Sequence, residues 1–355
     1  MPFHETLARY TADVNGALAR VFEELTPQAA RVHPSALEVA EAVRDFTLGP
    51  GKRLRPVLMR VAYEGFGGTH IEAIIRASCA VELMQSFLLI HDDIMDRSEL
   101  RRGQPTVHRE YAARYRGQVR DADHFGQAMG VLAGSLAGQQ ATLILSQSLF
   151  PPDRIAQALT RYAEVALDVC YGQALDMALP ERPMEEITET DVLHVAEYKT
   201  ARYTTEGPLH LGAILAGAED EILEKVSAYA IPLGIAFQMR DDLLGMFGGE
   251  DAIGKSADSD LLEGKRTLLV LRAWERADAD QRTVLKRALG NPKATAAELG
   301  AARKVIESTG AHSATVQEMR KLVDQAKGAL ADVPFTPEMT QFLSQLADYV
   351  ANRGR

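Results

Sequence analysis

Two pairs of adjacent aspartates each close an apolar helical run, Asp92 and Asp93 in LLIHDDIMDRS and Asp241 and Asp242 in IAFQMRDDLLGMF. Residues four apart share a helix face, so Asp92 and Asp96 point the same way, with Asp93 about 100° round the wheel. If the helix carrying Asp241 faces them, the result is a carboxylate-lined mouth fit for Mg2+. That ion takes a few carboxylates and completes its shell with water and substrate phosphates. The plainer alternative is a pair of solvated acidic helix ends. In the second motif Gly245 stands where a third acid would repeat the Asp92 to Asp96 spacing. Cations accompany the acids. GPGKRLRP, residues 49–56, gathers Lys52, Arg53 and Arg55 around a glycine turn, and Arg101 and Arg102 follow the first acidic motif in RSELRRGQPT. Like charges so crowded repel one another. An exposed loop tolerates this, and a bound diphosphate makes use of it, because guanidinium groups grip phosphate oxygens bidentately.

The elements that position these residues are helices. Ala, Leu, Glu and Arg fill most positions and almost no segment alternates at period two, so the chain reads as all-α. The periodicity places helices over 71–97, 127–149, 154–179, 189–217, 219–247, 262–290, 296–309, 314–331 and 336–352. Within the first of these Val81, Gln85, Leu88, Asp92 and Asp96 form one stripe, apolar deep down and acidic at its end. Pro232 is placed to kink the 219–247 helix. Residues 245–267 form a long Gly/Asp/Ser-rich segment carrying Lys255, Lys265 and Arg266, either an inert surface loop or a lid over an anion.

Bulk properties narrow the function classes. With 355 residues, 46% hydrophobic and 25% charged, the chain suits a single helical domain spanning 1–355, with no Pro/Ser-rich linker. A net charge of −10 and the lack of a basic run argue against a nucleic-acid partner. Cys79 and Cys170 lie outside any CxxC or Cys/His cluster, which suits free thiols in a reducing compartment. The acidic, amphipathic N-terminus lacks a signal-peptide layout, so a cytoplasmic location is expected. AMGVLAGSLAGQQATLIL is interrupted by Gln139 and Gln140 and reads as a core helix, so no membrane span is expected.

In order and spacing, a set of motifs resembles those of the trans-prenyl diphosphate synthases, or polyprenyl synthetases. They are GKRLRP, ELMQSFLLIHDDIMD followed by LRRGQPT, GQALD at 172–176, KTARY at 199–203, FQMRDDLLG at 237–245, and GKS and EGKRT within 254–267. The resemblance covers roughly residues 35–345. It implies an all-α bundle around a central apolar cavity, usually homodimeric, with Mg2+ as cofactor. The implied reaction is condensation of isopentenyl diphosphate with a C5–C15 allylic diphosphate, by ionisation, addition and proton loss.

Carried onto this chain, the resemblance makes Asp92 and Asp96 the first metal-binding pair and Asp241 the ligand from the opposite helix, with Asp93 and Asp242 in support. Lys52, Arg55 and Gln85, joined by Arg102, match positions that hold the diphosphate of isopentenyl diphosphate; many members have histidine at the place of Gln85. Arg101, Lys199, Thr200, Gln238, Lys255 and Lys265 match the group around the allylic diphosphate, and Lys199, Thr200 and Gln238 are the candidates to steady the cation. Phe87 and Leu88, five and four places before the first motif, match the positions that help set product length. A single aromatic there resembles geranylgeranyl (C20) synthases first, then farnesyl (C15), with longer products last. The helical wheel offers another place for Phe87, because Leu88 lies nearer the Asp92 face and Phe87 can pack on a neighbouring helix.

Two departures, Gly245 and Ser135, where the family often has aspartate, leave room for a catalytically silent subunit of a heteromeric synthase. A terpene cyclase needs one diphosphate site and would leave GKRLRP and Arg102 unexplained.

Overall fold

The computed structural model describes residues 3–248 and 258–352, and its contacts divide the chain into two compact units. Among the described residues the secondary structure is helical apart from one antiparallel ribbon, β1 (Leu100–Arg101) paired with β2 (Gln104–Pro105). The central residues of its two-residue turn, Arg102 and Gly103, both have positive φ (54° and 76°), the mark of a type I′ hairpin turn.

The first unit comprises Met1–Arg161 and Pro208–Ala218. It holds α1 (Phe3–Ala30), α2 (Pro34–Leu48), α3 (Leu54–Gly65), α4 (Ile71–Met95), α5 (Val107–Arg114) and α6 (Ala122–Ser146). α1 forms because Tyr10, Val14, Leu18, Val21 and Leu25 recur at helical spacing and are buried. α6 starts where the Asp121 side chain accepts from the His124 amide at 3.0 Å. Its glycines 126, 130, 134 and 138 make a ridge at spacing four. A Cβ at Gly134 would lie 2.5 Å from the His91 ring, and one at Gly130 would lie 2.8 Å from Ile94 Cδ1, so α4 seats directly on bare backbone. Both α4 and α6 are long and apolar enough to cross a membrane. In this unit α4 buries Glu82 and Asp93 against arginine partners.

The second unit comprises Tyr162–Gly207 and Glu219–Arg355. α7 (Pro152–Ala178) continues into it, followed by α8 (Glu189–His194), a π-helix (Val195–Glu206) and, after α9 (Gly207–Ala216), α10 (Asp220–Phe247). The 189–217 helix expected from periodicity is therefore three segments, with wider turns in the middle. Close approach accounts for it. A Cβ at Gly172 would run into the Lys199 backbone nitrogen, and one at Gly234 would lie 2.5 Å from Ala201 Cα. α10 runs unbroken through Pro232.

The expected 262–290 helix is also divided. Leu268–Arg276 and Ala279–Ala288 are separate helices, because Asp278 and Gln281 form a capping box that starts the second. Helices Ala296–Ser308, Ala311–Ala329 and Pro337–Asn352 follow. The buried Tyr229 hydroxyl donates to Leu343 O at 2.9 Å and ties α10 to the last of them.

Candidate active site

In the first unit the acidic end of α4 meets the hairpin. Asp92 and Asp96 are adjacent turns of one face, with the Asp96 amide donating to Asp92 O at 2.8 Å. Asp93, turned away, is buried and takes the Arg101 guanidinium, Nε at 2.9 Å, while Arg101 Nη2 reaches Asp92 Oδ2 at 3.4 Å. Arg101, matched in sequence to an allylic diphosphate, is thus the counter-ion of the first acidic motif. Arg102 at the hairpin tip donates to Pro50 O and lies over Gly51, where an added Cβ would come within 3.2 Å of its Nη1. Burial, then Arg53, Arg101 and Arg55, hold the Arg102 guanidinium below its ordinary pKa against the pull of Glu82. Arg101 and Arg102 also line a cavity of about 460 Å³ together with Gly49, Pro50 and the carboxylates Glu41 and Asp45 of α2.

The sequence treats Lys52, Arg53 and Arg55 alike, and the structure separates them. Lys52 is exposed, Arg55 is half-buried on the first turn of α3, and Arg53 is buried. Gln85 and Leu88 are half-buried on α4, on the stripe that ends in Asp92. Phe87 lies over the glycine ridge, its Cγ 3.3 Å from where a Gly138 Cβ would stand, with its ring edge-on to His91 at 5.1 Å between centroids. This is the packing against a neighbouring helix that the wheel allowed.

In the second unit the π-helix brings Thr200 and Lys199 to α10 and α7. Thr200 Oγ1 donates to Gln238 Oε1 at 2.6 Å, and Gln238 Nε2 donates to Asp242 Oδ1 at 2.7 Å. Lys199 Nζ donates to Asp176 Oδ2 at 2.5 Å, which gives the acid of GQALD a partner. Burial first, then Asp260 and Asp241, push the Asp242 carboxyl up to about 8, while Gln238 and Lys265 pull it down. Lys265 lies 3.1 Å from Glu263 and 4.0 Å from Asp260.

The acid missing at Gly245 is supplied in space by another element, since a Cβ there would lie 2.8 Å from Asp260 Oδ2. Asp260 escaped the motif reading. Its only signal was an acid within SDLLEGKRT. Lys255 lies outside the described residues. Among the described residues no group of three or more His, Cys, Asp or Glu gathers closely enough to hold a metal by itself. Each motif offers only carboxylate oxygens, donors that suit a hard cation completed by water and phosphate.

Comparison with known proteins gives concordant results. A family model described as polyprenyl synthetase matches residues 37–306. The chain is 34% identical over 316 residues to a geranylgeranyl diphosphate synthase of Methanosarcina mazei, covering 89% of this chain and 90% of that one. It is 32% identical over 319 residues to a geranylfarnesyl diphosphate synthase of Natronomonas pharaonis, covering 85% and 86%. A crystal structure of geranylgeranyl pyrophosphate synthase from Corynebacterium glutamicum, complexed with isoprenyl diphosphate and magnesium, superposes with a TM-score of 0.92 at 30% identity, covering 98% of this chain and 99% of that one.

Proposed function

The chain belongs to the polyprenyl synthetase family, and from that premise we propose that it condenses isopentenyl diphosphate with a C5–C15 allylic diphosphate to give a short-chain trans-prenyl diphosphate, geranylgeranyl (C20) first among them. The observation that carries this reading is the gathering of cations on one glycine turn, where a Cβ at Gly51 would lie 3.1 Å from Arg53 Nη1 and 3.2 Å from Arg102 Nη1, with Lys52 and Arg55 beside them in sequence. Such a concentration of cations is relieved by a polyanion. These cations belong to the first unit, while Lys199 and Lys265 belong to the second, and two groups of cations suit two diphosphates and disfavour a one-substrate cyclase.

In this reading Lys52, Arg55, Gln85 and Arg102 hold the diphosphate of isopentenyl diphosphate. The family resemblance assigns Arg101, Lys199, Lys255 and Lys265 to the allylic diphosphate, where positive charge offsets the negative charge that builds as the carbon–oxygen bond breaks. Asp92, Asp96 and Asp241 are the carboxylates that would hold Mg2+, which when bound supplies Lewis-acid polarisation of the departing diphosphate. Thr200 spends its proton on Gln238, so its oxygen offers lone pairs that steady the allylic cation. The double bond of isopentenyl diphosphate attacks that cation, and the proton lost afterwards goes to the released diphosphate. Leu88 on the Asp92 stripe, and Phe87 through its packing on α6, are the residues read as limiting product length.

We further assign the chain to the cytoplasm, as one catalytic domain whose α4 and α6 are core helices. No nucleic-acid partner is assigned. We propose a homodimer, for which Val131, Leu132 and Leu143 give α6 an exposed apolar face suited to a second copy.

The test is incubation of purified protein with Mg2+, labelled isopentenyl diphosphate and, separately, C5, C10 and C15 allylic diphosphates, with product length read by chromatography. A C20 product supports the reading, and another length keeps the reaction while correcting the length. Hydrocarbon or alcohol formed without isopentenyl diphosphate would establish a cyclase. No product from any primer would leave a silent subunit.

A further inference from the structure

Arg53 has a backbone that asks for glycine and a side chain that is fully engaged. Its φ is 49° and ψ 32°, in the left-handed region. The non-glycine residues with positive φ among the described residues are Arg53 and Arg102, one within each basic motif, and Arg97, which directly follows the first acidic one. Such conformations persist where the surroundings enforce them, and they gather at functional sites.

What enforces Arg53 is explicit. Its guanidinium donates to Glu82 Oε1 of α4 at 2.6 Å, to Asn15 Oδ1 of α1 at 2.8 Å and to Gly49 O at 2.7 Å. Arg53 is 4% exposed and Glu82 3%, so the ion pair is buried. A Cβ at Gly51 would lie 3.1 Å from Arg53 Nη1 and 3.2 Å from Arg102 Nη1, so one bare residue seats both guanidiniums.

We propose that Arg53, with Glu82 as its counter-charge, is a positioning residue for the isopentenyl diphosphate subsite. It touches no substrate. It clamps the Gly49–Lys52 turn to α1 and α4, and so fixes where Lys52, Arg55 and Arg102 present their charges. The proposal rests on the functional reading above. Glycine would satisfy the backbone at this position with less strain, so the side chain is what the fold uses there. A buried pair that served stability alone would be replaceable by two apolar residues of similar volume, which often leaves stability unchanged or improves it. Loop placement would not survive that exchange, because an apolar pair supplies neither the bond to Asn15 Oδ1 nor the bond to Gly49 O.

The experiment compares wild type, Arg53→Gly, Arg53→Lys and the double variant Arg53→Met/Glu82→Met. The readings are KM for isopentenyl diphosphate, KM for the allylic substrate, kcat and melting temperature. The double variant is expected to melt near wild type while its KM for isopentenyl diphosphate rises on the order of tenfold, with kcat and the allylic KM within about twofold. Arg53→Gly should show the same split, and Arg53→Lys should recover part of the loss. A double variant with wild-type melting and wild-type KM overturns the proposal, as does a uniform fall of all parameters that follows melting temperature. Calorimetric titration of wild type with isopentenyl diphosphate separates the two layers. No binding there overturns the functional reading and the positioning role with it, whereas binding that is undiminished in the folded double variant overturns the positioning role alone.

Discussion

The Thr200 hydroxyl lies 2.6 Å from Gln238 Oε1, and the same amide donates to Asp242 Oδ1 at 2.7 Å, so a residue of the π-helix is wired to the second acidic motif through one side chain. Replacing Thr200 by valine keeps the shape and removes the donor. It leaves Gln238 Oε1 without its partner, a cost of about 1–3 kcal/mol in a buried setting. The expected result is a kcat lower by roughly ten- to a hundred-fold with modest change in either KM, read from steady-state kinetics with both substrates varied. A KM effect with unchanged kcat would move Thr200 from chemistry to binding.

Gly172 accepts the backbone of Lys199 where a side chain would collide. Gly172→Ala must push the π-helix off α7, with a loss of about 1–3 kcal/mol. A lowered melting temperature with loss of activity is expected. Unchanged melting would show that the segment yields without cost.

Product length is predicted to respond in opposite senses on the two sides of one contact. Phe87→Ala should lengthen the product, since it removes the ring resting over Gly138. Gly138→Ala should shorten it, because the ring, its Cγ 3.3 Å from the new Cβ, must shift off α6. Chromatography of the prenyl alcohols after phosphatase treatment decides. The same product from both variants would remove Phe87 from the floor of the cavity.

His108 supplies a pH dependence. It is buried, with Nδ1 3.1 Å from Thr106 Oγ1, and burial first, then Arg109, hold its pKa below the ordinary 6.5, against Glu99 and Asp123. The unfolded chain therefore takes up a proton here before the native one does. The contribution to stability is complete above pH 6.5 and is lost as pH falls through that value toward the lowered native one. Melting temperature measured from about pH 7 to about pH 5 should fall less in His108→Gln than in wild type. Parallel curves would exclude His108 as a source of acid sensitivity.

Much of the fold was legible because helical periodicity is local. α4, α10 and the helices after Ala296 fall within a few residues of the ranges expected. The acidic face of Asp92 and Asp96 followed from spacing alone. Most of the misreadings share a cause, which is contact between residues remote in sequence. The π-helix depends on Gly172 and Gly234 approaching it from two other helices. Arg53 reads as one more loop cation until Glu82 and Asn15 are seen around it. The acid apparently lost at Gly245 returns as Asp260 from the short helix Ser259–Leu262, which the DDLLG pattern could not show. The break at Asp278 is different, since its capping box was present in the sequence and a continuous apolar pattern obscured it.

The glycine ridge of α6 has a mechanical meaning for the acidic motif. Phe87, His91 and Ile94 each rest on bare backbone, so α4 cannot roll about its axis without lifting its side chains out of three seats at once. A helix denied that rotation keeps Asp92 and Asp96 aimed in one direction.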